Sequence, residues 1–153
     1  MPKIDIAEAP TRKGTRYPAP FDKPCLERVR VALGDAGGLT DFGVNLLTLL
    51  PGVWSSQRHW HSGEDEFVYV ISGEVVLVGD AGEEILRAGD CAAFPKGVAD
   101  GHQLINRSQA PAICLEVGTR TRDDLCLYPD IDMKIDSRDD RFTHKDGTPY
   151  PGA

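Results

Sequence analysis

From Cys25 to about Gly118, short runs rich in β-branched and aromatic residues alternate with Gly, Pro and Asp, and no amphipathic helix of about twelve residues or more is written into the chain. The runs predicted as strands are 28–33, 44–50, 53–59, 66–71, 74–78, 83–87, 91–94, 103–106 and 112–117. Turn residues separate them: GDAGG at 34–38, Pro51-Gly52, Ser72-Gly73, Gly79-Asp80-Ala81-Gly82, Ala88-Gly89-Asp90 and Pro95-Lys96-Gly97. Many short strands at close spacing imply an all-β sandwich or barrel.

The two ends read differently. Residues 1–24 carry Pro2, Pro10, Pro18, Pro20 and Pro24, which exclude a long helix or a central strand, so an extended arm laid on the surface is expected. Residues 119–153 are polar and mixed in charge, with apolar anchors at Leu127, Tyr128, Ile131, Met133, Ile135 and Phe142. A segment wrapped over the barrel fits that pattern. The 153 residues suit one domain over 1–153, with arm 1–24, barrel 25–118 and wrap 119–153. With Lys+Arg at 17 and Asp+Glu at 24, the formal charge is −7. That balance argues against nucleic-acid and polybasic membrane-surface partners. No apolar stretch approaches a membrane span, and the first residues lack a signal layout, so a cytoplasmic location is expected. Cys25, Cys91, Cys114 and Cys126 form no CxxC pair and read as reduced thiols.

One constellation carries chemistry. On a strand, positions i and i+2 share a face, so His59 and His61 both point into the barrel. Glu66 follows the turn Ser62-Gly63-Glu64-Asp65 and returns to the same depth, and His102 opens a later strand. Three imidazoles and one carboxylate suit one divalent ion, Fe(II), Mn, Ni, Co or Zn, with positions left for water or substrate. By the same alternation Trp60 faces away from the ion. Gln57, Val68, Val70, Phe94 and Leu104 face inward as candidate substrate-binding residues. Glu64 and Asp65 read as solvated loop charges, Arg58 and Lys96 as solvated cations, and His144 as remote from the site.

These residues resemble the two motifs of the cupin superfamily. The first is a glycine, His-x-His, a glutamate and a glycine. Here it runs Gly52, six residues, His59-Trp60-His61, four residues, Glu66, six residues, Gly73. The second runs Gly89, five residues, Pro95-Lys96-Gly97, four residues, His102, three residues, Asn106. Its glycine-to-histidine turn is two residues longer than usual, and Asp100 stands where that spacing would place the histidine. The His102-to-Asn106 spacing is intact, which carries the ligand role to His102. The resemblance covers about residues 40–118. It implies a cupin-type double-stranded β-helix, a jelly-roll barrel, holding one divalent metal.

The flanking text resembles small bacterial single-domain cupins, some labelled sugar-phosphate isomerases. The reading that follows is metal-assisted isomerisation of a small polar or anionic metabolite. The alternatives are a non-haem metal dioxygenase and a non-catalytic, metal-tethered binding protein. Isomerisation needs a base beside the ion, and with Glu66 committed to coordination, Tyr69, Glu116 or a bound water would have to serve. Exposed sheet edges and the proline-rich arm lead to an expected homodimer.

Overall fold

The computed structural model describes residues 3–151, which leaves Pro2 of the arm outside the described residues. Eight of the nine predicted runs are strands, within two residues at each end. In chain order the strands are β1 Thr11–Lys13, β2 Val29–Ala32, β3 Phe42–Leu49, β4 Trp60–His61, β5 Glu66–Ser72, β6 Glu74–Gly79 and β7 Gly82–Arg87. They continue with β8 Cys91–Phe94, β9 Gln103–Ile105, β10 Ala112–Thr119, β11 Leu125–Tyr128, β12 Met133–Asp136 and β13 Arg141–Thr143. A single helical turn, α1 Leu33–Ala36, falls in the predicted GDAGG turn. No helix among the described residues is long and apolar enough to cross a membrane.

Two antiparallel sheets make the expected β-barrel. One has the order β1-β2-β3-β10-β5-β8 and the other β7-β6-β9. Alternation decides what lies between them. In β5 Val68 and Val70 point in while Phe67, Tyr69 and Ile71 point out. The inward set packs with Leu47, Leu49, Val75, Leu104 and Cys114 as one apolar core.

The predicted strand 53–59 is absent. That stretch makes only single bridges, Trp54 with Ile105 and His59 with His102. Its backbone is held by other partners: Trp54 N donates to Pro24 O at 2.9 Å, and Ser55 Oγ accepts from Leu104 N at 2.9 Å. A hydroxyl does there what a ladder carbonyl would do, and regular pairing stops.

The ends depart further from expectation. The arm is not merely laid on the surface, because β1 pairs with β2 and extends the larger sheet. The C-terminal segment is not only a wrap. Its strands β11–β13 form a third sheet, ordered β13-β12-β11-β4, which captures the strand carrying His61. This sheet has its own core of Cys126, Tyr128, Met133, Phe142 and Tyr150, against which Tyr17 and Phe21 of the arm pack. Arg16 ties arm to tail through two 2.7 Å bonds to Asp140.

Asn106, the last residue of the second motif, is fully buried and structural. Its Nδ2 donates to Leu49 O and Ala110 O at 2.8 Å, and its Oδ1 accepts from Ser108 N at 2.9 Å. Asn106→Ala takes the side-chain donor from the buried Leu49 carbonyl, and chemical denaturation is expected to show a loss of about 1–3 kcal/mol.

The second core also sets an alkaline limit. Burial pushes the Tyr17 phenol up to about 12 and the Tyr128 phenol well above its ordinary 10. Because both folded values are raised, the neutral phenols stabilise the fold fully below pH 10, and that stability is lost as pH rises toward 12. Thermal midpoints are expected to fall over that window, with Tyr17 and Tyr128 ionising only there. Titration of these two phenols near pH 10, with the fold intact, would contradict this.

Candidate metal centre

His59 and His102 meet because their backbones bond to each other. His59 N donates to His102 O at 3.1 Å, and His102 N to His59 O at 2.8 Å. His61 is held from two sides: it pairs with Cys126 across β4–β11, and its carbonyl accepts from Gly97 N at 2.8 Å. Gly97 has φ 75°, which suits a residue without Cβ, so the Pro-x-Gly turn of the second motif positions a ligand of the first. Gly63 matters for space, since a Cβ there would overlap the Asp123 carbonyl. That close approach brings Asp124 into the site.

Three imidazole nitrogens converge on one carboxylate oxygen. Glu66 Oε2 lies 3.0 Å from His102 Nε2, 3.5 Å from His61 Nε2 and 3.6 Å from His59 Nε2. Two of the rings are oriented from behind. His59 Nδ1 bonds to Gln57 O at 2.9 Å and His61 Nδ1 to Asp124 Oδ2 at 2.7 Å. These bonds place the Nδ1 proton on an acceptor and leave the Nε2 lone pair turned inward. The His102 ring is set by stacking on Phe94, with centroids 3.6 Å apart and planes within 1°.

Glu66 Oε2 is buried and has no hydrogen-bond partner among the described residues, although three nitrogens surround it. A buried carboxylate oxygen facing three imidazole nitrogens is balanced by protons or by a cation, and the set of nitrogen and oxygen donors fits a divalent metal. His59, Glu66 and His102 have ligand atoms within 4.8 Å of one another. His61 joins two further such groups, one with Glu64 and Asp124 and one with His59 and Cys126.

Electrostatics follow the geometry. Burial alone would raise the Glu66 carboxyl, but the imidazoles of His102, His59 and His61 outweigh it and hold it well below the usual range. Burial opposes charging of His61, yet Asp124 overrides it and lifts the imidazole to about 11. Burial also lowers His102 and raises Glu64.

Two cavities share this floor. Glu64, Glu66, Phe94 and His102 line both. One is apolar, walled by Trp60, Leu77, Ala93, Pro95 and Val98. The other is polar, walled by Arg30, Asn45, Ser55, Ser56 and Glu116.

The remaining predicted residues divide. Val68, Phe94 and Leu104 line the polar cavity. Val70 does not; it lies deeper in the core at 0% exposure. The Gln57 side chain turns the other way and donates to Phe21 O at 2.7 Å. Tyr69 is on the outer face of β5, since its odd position alternates with inward Val68 and Val70. Glu116 reaches the cavity, but Arg30 holds both its oxygens at 2.7 and 2.9 Å. Trp60, expected to face away, lines the apolar cavity because β4 is only two residues long and its neighbours bend.

Glu64, expected in solvent, is largely buried and accepts from Thr121 N at 2.9 Å. Its offset of two from Glu66 was the available signal. Arg58 is bound by Asp130 and Asp80, and Asp100 by the Asp80 backbone. Asp65 and Lys96 stay exposed, and His144 pairs with Asp132 elsewhere. All four cysteines are free. Asp124 and Tyr128, which stacks on His59, were missed, because no local pattern in the polar tail marks them.

The comparisons agree with this geometry. The cupin domain family matches residues 45–118. A sugar phosphate isomerase of the cupin superfamily from Silicibacter pomeroyi DSS-3 is 48% identical, covering 99% of this chain and 98% of its own, with a TM-score of 0.92. A structure from Acidithiobacillus ferrooxidans, provisionally named a sugar phosphate isomerase, is 32% identical over 76% of this chain and 74% of its own, TM-score 0.72. The polyketide cyclase RemF from Streptomyces resistomycificus shares the fold at 19% identity over 78% of this chain and 79% of its own, TM-score 0.62. Among curated proteins none matches this sequence.

Asp124→Asn keeps the bond from Gly63 N, at 2.8 Å in the native protein, but removes the charge behind His61. Titration with Mn or Zn is expected to show affinity about 10–100-fold weaker with an unchanged circular dichroism spectrum. Unaltered affinity would dismiss Asp124 as the orienting group.

Proposed function

The chain belongs to the cupin superfamily, and from that premise we propose a metal-dependent isomerase acting on a small polar or anionic metabolite of the sugar-phosphate type. The observation that carries the reading is the convergence of His59, His61 and His102 on Glu66 at the meeting point of a polar and an apolar cavity. The full-length resemblance to a sugar phosphate isomerase of this superfamily supports the reaction class.

His59, His61, Glu66 and His102 would hold the ion, which supplies Lewis-acid polarisation of a carbonyl or hydroxyl oxygen when bound. The other tasks fall to the chain. Arg30, kept in place by Glu116, offers a cation to an anionic group, and the buried hydroxyls of Ser55 and Ser56 with Asn45 offer hydrogen bonds to a polyol. Phe94 and Trp60 exclude water on the opposite side.

Moving a proton between neighbouring carbons needs a group that takes it and returns it. Glu64 is the proposed carrier, replacing Tyr69 and Glu116. It faces both cavities, and burial shifts its carboxyl upward.

Protein purified without added metal is expected to hold about one equivalent of zinc or manganese. His59→Ala should lose the metal and keep the fold. With metal bound, the protein should exchange the carbon-bound proton of an aldose or ketose phosphate with solvent in NMR assays. Glu64→Gln should slow that exchange by about 10²–10⁴-fold with metal content unchanged. Bound iron with oxygen consumption would replace this reading with an oxygenase.

A further inference from the structure

One row of the larger sheet passes through the candidate metal centre, and half of it is glycine. The ladder sets Gly43 beside Gly118, Gly118 beside Glu66 and Glu66 beside Phe94. All four line the polar cavity. A Cβ on Gly118 would lie 3.6 Å from Glu66 Cγ, so bare backbone opens a trough running sideways from that ligand. At two strand spacings of about 4.8 Å, Gly43 is about 10 Å from Glu66 across the sheet.

The far end of the trough holds a cation. A Cβ on Gly43 would lie 3.3 Å from Arg120 Nη2 and 3.4 Å from its Nε. The Arg120 guanidinium therefore occupies the space that a side chain at 43 would take, and it lines the same cavity. Two contacts fix it there. Arg120 N donates to Asp41 O at 3.0 Å, and its Nη2 donates to Asp35 Oδ1 at 2.5 Å. Asp35 is carried by α1, which packs so closely on β3 that a Cβ on Gly34 would be 2.9 Å from Val44 N.

The two arginines of the cavity differ in what they have left to give. Arg30 commits Nε and Nη2 to both oxygens of Glu116, and its charge is matched there. Arg120 shares one short bond with Asp35, and the two side chains are 42% and 46% exposed, so water weakens that pair. Its other bond among the described residues is a long one, 3.5 Å from Nη1 to Leu39 O. Most of the five N–H donors of a guanidinium thus remain for a ligand, in the planar fork that suits an oxyanion.

We infer that Arg120 binds the phosphate of the substrate at the end remote from the ion, and that Gly43 and Gly118 make room for the carbons between. The inference rests on the isomerase reading and adds the orientation of the substrate: reacting oxygen at the ion, phosphate two strands away. The substrate class narrows accordingly to sugars whose phosphate is terminal and several carbons from the reacting carbonyl.

The test titrates the Mn-loaded full chain by calorimetry with ribose 5-phosphate, glucose 6-phosphate, the two free sugars and glucuronate. Each phosphate is expected to bind at least about tenfold more tightly than its free sugar, and less tightly as salt rises. Arg120→Gln should weaken phosphate binding by about 10–100-fold and flatten its salt dependence, with metal content unchanged. Arg120→Lys, which keeps the charge without the fork, should recover part of the loss. Arg107→Gln removes an exposed arginine paired with Glu83 and should change nothing.

Equal affinity of wild type for phosphates and free sugars overturns the inference. So does unchanged phosphate affinity in Arg120→Gln, or a glucuronate that binds as tightly as glucose 6-phosphate. The wild-type comparisons decide even should a variant fail to fold. Exchange of the carbon-bound proton is followed on the same samples. If it is absent while Arg120 still governs phosphate affinity, the anion site stands and only the isomerase reading falls. If it proceeds while Arg120→Gln binds phosphates like wild type, only the anion site falls.

Discussion

A carboxylate oxygen enclosed by three imidazole nitrogens is the constraint around which this structure is arranged. Glu66 Oε2 sits 3.0–3.6 Å from three Nε2 atoms, and no residue in the pocket satisfies it by hydrogen bonding. Such a cluster costs free energy unless protons or a cation balance it. The surrounding structure nonetheless specifies it closely. A reciprocal backbone pair joins His59 to His102, and Asp124 and the Gln57 carbonyl aim two of the rings. Elements with no other reason to meet are drawn to one point, and that is the mark of a site rather than of a core.

The same constraint accounts for the third sheet. His61 lies on a two-residue strand that the barrel alone does not hold. Strand β11 captures it, and β12, β13 and the arm supply the apolar core that makes β11 rigid. The C-terminal segment therefore belongs to the site as much as to the scaffold. It delivers Asp124 behind His61, Thr121 N to Glu64, and the Tyr128 ring against His59.

How much could be read from the chain follows from range. The four candidate ligands were legible because a period of two and short turns govern them locally. The barrel strands were legible because Gly and Pro punctuate them. Asp124 was not, because its role depends on pairing between residues 61 and 126, and nothing near Asp124 announces that partner. Strands β11–β13 were hidden by charges in and between them: Asp136 and the turn residues Arg138 and Asp140 look solvated, while the alternation that buries Tyr128, Met133 and Phe142 is spread over three short pieces. The stretch 53–59 misled for the opposite reason. Its β-rich composition was real, but Ser55 gave its hydroxyl to Leu104 and broke the ladder.

One alternation sets both faces of β5: even positions carry Glu66 and Val68 inward to the candidate metal centre and the core, and odd positions carry Phe67 and Tyr69 outward. The central claim is that His59, His61, Glu66 and His102 share one ion. A crystal grown from protein purified without chelator, with diffraction data collected across metal absorption edges, addresses it directly. The account predicts a single anomalous peak about 2.0–2.2 Å from the three Nε2 atoms and a Glu66 oxygen. A peak held instead by His61, Glu64 and Asp124, or no peak after soaking in Mn or Zn, would contradict it.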